Sequence, residues 1–147
     1  MTNRVNFCVC LVILAHFMSG CATELVPTSQ AWPVPKNRLL TQKWRSPTTD
    51  TGSLIVKRDR GLVETDCFSR VYIEGVPVAD LDASEMVEFF LPAGEHILEI
   101  GVGGEELCEG FSEEKLTGAS VIITKGRQKV FRIKTGTGGT VLIPTTP

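Results

Sequence analysis

The sequence predicts an all-β protein, a small antiparallel β-sandwich, and the prediction rests on strand runs, turns and a missing helical period. Eight short runs rich in β-branched and aromatic residues fall at 53–58, 70–73, 76–81, 87–91, 96–102, 119–124, 129–134 and 140–143. Turn residues punctuate them: Glu74-Gly75, Pro92-Ala93-Gly94, Lys125-Gly126 and the glycine-rich stretch 136–139. No apolar 3.6 period continues for three turns, and the best helical candidates, 83–87 and 112–116, are single turns. Short strands at this spacing pack as two facing sheets.

Taken in order, residues 1–20 come first and do not belong to that core. Arg4 is the only charged side chain there, and an apolar run over 5–18 is closed by the small residues Ser19 and Gly20. This is the layout of a secretory signal peptide. The run is shorter than the roughly 20 residues that cross a bilayer as a helix. An uncleaved core helix is a poor alternative, because Pro27, Pro33 and Pro35 follow so closely.

The segment Met18-Ser19-Gly20-Cys21 resembles the lipobox of bacterial lipoproteins. The resemblance implies cleavage before Cys21 and attachment of diacylglycerol and palmitate there, a membrane anchor worth about 0.8 kcal/mol per buried CH₂. In lipoproteins of enteric type an Asp after that cysteine signals inner-membrane retention. Ala22 stands there instead, which implies the outer membrane with the domain in the periplasm.

Of the five cysteines, Cys8 and Cys10 leave with the leader and Cys21 takes lipid, so Cys67 and Cys108 remain. In an oxidising compartment an even remainder reads as one disulfide, closing a loop of about 40 residues and stabilising the fold by roughly 4 kcal/mol. A metal pair or a redox dithiol competes less well. The two cysteines have no CxxC spacing, and His96 is the only histidine left outside the leader.

Residues 21–51 read as a lipid-anchored, partly extended tether, with prolines at 27, 33, 35 and 47 and no apolar period. Both tryptophans, Trp32 and Trp44, fall in it. Either Trp32-Pro33-Val34-Pro35 is a pre-extended recognition segment, or the tether folds back and its rings cover an open end of the domain. The second reading is the plainer one.

Residues 52–147 form the domain. Val87, Phe89 and Leu91 alternate onto one face, as do Leu98, Ile100 and Val102, and Phe131 and Ile133. Half-buried antiparallel strands follow from that period of two. The run Val71-Tyr72-Ile73-Glu74-Gly75-Val76, followed by Leu91-Pro92-Ala93-Gly94-Glu95-His96, resembles the PEGA-type surface domains, in which such motifs turn one strand into the next. The likeness spans 71–98. Val56-Lys57-Arg58-Asp59 with the paired cysteines is similar to a set of small bacterial lipoproteins of unknown function. These resemblances imply a β-sandwich adaptor and no reaction.

Chemistry is sparse. The net charge is −2, and a leader holding Arg4 and no acid takes 15 basic residues to 14 against 17 acidic, or −3. That balance excludes a nucleic-acid partner of the usual kind, which needs a basic face. Lys57, Arg58 and Arg60, interrupted by Asp59, read as a solvated strand end. His96 starts a strand and is explained structurally. The acidic stretch with Glu105, Glu106 and Glu109 lacks the alternating Asp and Asn of a calcium loop, so it reads as a solvated loop pinned by Cys108. The 136–139 glycines lack the Gly-Lys-Ser/Thr of a phosphate loop and read as a hairpin turn. Two unlipidated cysteines are too few for an iron–sulfur cluster.

The expectation is therefore a non-catalytic envelope lipoprotein with no metal and no cofactor. It would contact an envelope protein or the cell wall through Trp32, Trp44, Glu105, Glu106 and Glu109. The alternative is a lipid-anchored inhibitor or ligand-binding β-domain acting on a basic periplasmic enzyme.

Overall fold

The protein is seen as a computed structural model that describes residues 23–61, 67–104, 108, 116–136 and 139–146. Its strands are β1 (Trp32–Pro33), β2 (Thr51–Arg58), β3 (Phe68–Ile73), β4 (Val76–Leu81), β5 (Glu85–Pro92), β6 (Gly94–Gly103), β7 (Thr117–Ile123), β8 (Gln128–Gly136) and β9 (Gly139–Thr145). They form two packed sheets, one ordered β1-β5-β2-β8-β9 and the other β4-β3-β6-β7. The all-β sandwich read from the sequence is the observed fold.

All eight expected runs are strands, most of them one to three residues longer than the pattern indicated. The turns lie where their residues require. Glu74 and Gly75 both have positive φ, 53° and 70°, the left-handed pair that reverses β3 into β4. Gly136 stands opposite Gly139 across the β8–β9 hairpin. Residues 83–87 are not a helical turn. Ser84 adopts φ 67°, which breaks any helical continuation, and β5 starts at the next residue. The other single-turn candidate, 112–116, lies outside the described residues except for Leu116.

The larger sheet is mixed. β2 pairs antiparallel with β5 on one side and parallel with β8 on the other, Ser53 opposite Gln128 and Val56 opposite Phe131. Period-two alternation sorts side chains between faces but does not fix strand direction. Leu54 and Val56 of β2, Phe89 and Leu91 of β5 and Ile133 of β8 meet Val71, Ile73, Leu81, Leu98 and Ile100 from the other sheet, all of them buried. Each such side chain contributes about 1.5–3 kcal/mol.

Residues 23–50 are not a free tether. Glu24 and Arg60 exchange backbone hydrogen bonds, N–H to O at 2.7 and 3.1 Å. The chain then follows the outer edge of β5: the Trp32 N–H donates to the Ser84 carbonyl and the Val34 N–H to the Met86 carbonyl, both at 2.9 Å. Next it crosses to the other sheet, where the Leu40 N–H donates to the Val78 carbonyl at 3.0 Å, and it returns so that Phe90 N–H donates to the Trp44 carbonyl at 2.7 Å. Val26 and Val34 are buried, and Leu39 and Trp44 pack on the core. This strap seals the side of the sandwich between the β4 and β5 edges and satisfies backbone groups that an open edge would expose.

Candidate functional site

The sandwich has two unlike ends. At one, the ends of β2, β4 and β6 meet the starts of β3 and β5, and the Cys67 and Cys108 sulfurs lie 2.20 Å apart with Cα atoms at 5.8 Å, a bonded pair. We call this the cysteine end. At the other, the turns after β3, β5 and β7 gather.

The cysteine end holds ion pairs that the sequence pattern had placed in water. Lys57, Arg58 and Asp59 are 3%, 4% and 3% exposed. Leu54 and Val56 face the core, and Arg58 continues that face, reaching across the gap to donate to the Leu81 carbonyl at 3.0 Å and the Cys67 carbonyl at 2.8 Å. Lys57 and Asp59 point to the opposite face, beneath the strap. Lys57 Nζ donates to Thr28 Oγ1 at 3.2 Å, and Asp59 Oδ2 accepts from Arg132 Nε at 2.8 Å. Asp59 Oδ1 is buried and has no hydrogen-bond partner. Burial pushes the Lys57 ammonium below its ordinary value, with Asp59 opposing that shift and Arg132 adding to it. The local charge pattern could not reveal this, because the cover comes from Thr28, far away in the chain.

Two further pairs frame this end. Arg70 grips Asp80 with Nε to Oδ1 at 2.7 Å and Nη2 to Oδ2 at 2.8 Å, and that hydrogen-bonded carboxylate holds the guanidinium above its already high value against the cost of burial. Arg38 of the strap pairs with Glu85 and lies 4.6 Å over the Phe68 ring. These contacts are fixed and mutually satisfied. Arg70 and Asp80 tie β3 to β4, and Arg38 holds the strap to both sheets.

The turn end contains His96. Its Nε2 faces the Pro92 carbonyl at 2.9 Å, an acceptor, so this nitrogen donates, and Nδ1 lies 3.0 Å from Glu74 Oε1. Both ring nitrogens are engaged in bracing two turns, in keeping with the structural role read from the sequence. Among the described residues no group of three or more His, Cys, Asp or Glu side chains could hold a metal ion, and no helix is long and apolar enough to cross a membrane.

The side opposite the strap is open. There β7 and β9, the free edges of the two sheets, diverge toward the turn end around a cleft of about 520 Å³ lined by Ser120, Ile122, Lys129, Phe131, Pro144 and Thr145. Ile122 is 67% exposed on its rim. From Leu116 to Thr124 there is neither a charge nor a proline, so β7 lacks the devices that normally blunt an edge strand. Lys129 and nearby Arg127 form no ion pair among the described residues.

The sequence-derived contact residues are scattered. Trp32 is 71% exposed, beside Ser84 at the cysteine end. Trp44 is partly buried beside Phe90, with φ 62° and Lys43 Nζ 4.1 Å above its ring. The structure does not bring the two indoles together. Cys21, Glu105, Glu106 and Glu109 lie outside the described residues. The β7–β9 cleft was missed. Its one signal in the sequence was the uncharged run from 116 to 124.

Together these features define an all-β sandwich that is strapped on one side and open on the other. Comparison with protein-family models, with curated proteins and with solved structures finds no match, so the assignment rests on this chain's own residues.

Proposed function

We propose that this protein is a non-catalytic cell-envelope lipoprotein, held on the periplasmic side of a membrane through lipid on Cys21, whose sandwich binds an extended segment of another envelope protein. The observation that carries the reading is the asymmetry of the two sides. One edge is closed by hydrogen bonds from the strap, while the β7 edge opens onto a cleft with an exposed isoleucine at its rim. An extended segment added along β7 would gain main-chain hydrogen bonds from the edge and specificity from the cleft. Lys129 in the lining selects a segment with an acidic residue beside apolar ones. The lipobox at Met18 to Cys21 and the adaptor resemblance over 71–98 support the same reading.

The test is a photo-crosslinking side chain at position 122 in the host, with position 76 on the far edge of the same sheet as control. A discrete protein adduct from 122 alone, displaced by an untagged wild-type copy and not by an untagged Ile122→Lys copy, separates edge binding from general proximity. No adduct at 122, or the same adduct at 76, sinks the reading.

A further inference from the structure

Resting on lipid attachment at Cys21, we infer that the domain lies directly against the bilayer, with the strap side of the cysteine end facing lipid and Trp32 seated in the headgroup layer. Thr23 already touches the folded domain. A Cβ on Gly61 would come within 2.8 Å of its methyl group. Glu24 is hydrogen-bonded to Arg60 on both backbone groups. Two chain steps separate Cys21 from Thr23, which span at most about 7 Å. A headgroup layer is roughly 5–8 Å thick, by the difference between a bilayer's hydrocarbon core and its full thickness. The leash is therefore no longer than the layer it must cross, and the domain has no room to stand away from the membrane.

The surface that this leash presses down has the chemistry for it. Arg60 Nε donates to Ser84 Oγ at 3.3 Å, and the Ser84 carbonyl accepts from the Trp32 N–H at 2.9 Å, so Glu24, Arg60 and Trp32 belong to one connected patch. Trp32 at 71% and Leu25 at 47% exposure are large apolar groups on that patch. The Arg60 side chain is 59% exposed beside them, with Nη1 3.7 Å from Glu24 Oε2, an exposed pair in which lipid phosphate would take the place of the carboxylate. An indole, apolar with one N–H, suits the boundary between acyl chains and headgroups. The β7–β9 cleft opens at the opposite end, away from the lipid.

The two tryptophans report the geometry directly, because Trp32 is at the cysteine end and Trp44 beside Phe90 is not. Full-length protein purified with its lipid is placed in phosphatidylethanolamine–phosphatidylglycerol vesicles with and without bromine on the acyl chains. Intact mass is read on the same sample. Wild-type emission is expected to shift to shorter wavelength and to be quenched by the brominated lipid, and Trp32→Phe, at an exposed position that leaves the core untouched, to lose both effects. If acylated wild type and Trp32→Phe are quenched equally, or neither is, the apposition is overturned while the lipoprotein reading stands. A mass without acyl chains on Cys21 overturns both.

Discussion

Replacing Asp59 by Asn is expected to destabilise the domain severely, and the size follows from what surrounds the carboxylate. Its side chain is fully buried, and its Oδ2 accepts a hydrogen bond from Arg132 Nε and lies in ion-pair contact with Nη2 of the same side chain, which is only 16% exposed. Lys57 lies on the same face and feels the same carboxylate. Asp59 thus balances two cations, and Asn leaves both buried without a counter-charge. Removing one partner of a buried pair costs about 3–5 kcal/mol, against a total stability of about 5–15 kcal/mol for a domain of this kind. Arg132→Met should cost less, because Asp59 keeps Lys57 as a partner. Joint replacement, Asp59→Leu with Arg132→Met and Lys57→Met, should recover much of the loss, since all three desolvation penalties disappear together. Urea unfolding followed by tryptophan emission, with midpoints converted through a common slope, measures all three. The reasoning fails if Asp59→Asn costs less than about 1 kcal/mol, or if Arg132→Met is the more damaging single change.

Two other outcomes are expected. Replacing Cys67 and Cys108 together by Ser opens a loop with a sequence separation of 41 and should lower stability by roughly 4 kcal/mol; a double variant whose urea midpoint matches wild type would refute the contribution. Lys57 gives the pH dependence. Its folded-state value lies below the ordinary one, so between the two the unfolded chain binds more protons and stability rises with pH. Below that window the buried charge is a constant cost. Lys57→Met should therefore flatten the alkaline rise without lowering stability at pH 7, and an unchanged rise in the variant would assign it to another group.

The strands were legible because each carries its own alternation and its own turn residues, as Val87, Phe89 and Leu91 and the Glu74-Gly75 turn do. What local pattern omits is which distant segment lies on top. Lys57, Arg58 and Asp59 look like a wet strand end until the strap is folded over them. Arg58 had a faint signal, since it continues the inward phase of Leu54 and Val56. Strand order was hidden for the same reason. Nothing in 53–58 announces that its second neighbour is Gln128–Gly136 rather than an adjacent hairpin, and so nothing marked β7 as an edge. The cleft could be read only once the sheet order β4-β3-β6-β7 was known. Trp44, spent in a proline-rich stretch, hinted correctly that this stretch packs, whereas Trp32 in the same stretch faces outward.

The parallel pairing of β2 with β8 bears on when the chain can fold. β2 is the centre of the larger sheet, yet one of its two neighbours is made almost at the end of the sequence. Contacts so distant in sequence form slowly. As the chain emerges from its N-terminus, the run Leu54, Ile55 and Val56 has an unsatisfied edge until residues beyond 128 arrive. The sheet β4-β3-β6-β7 is complete in sequence by Ile123, so of the two facing layers it is the larger sheet that waits for the strand that begins at Gln128.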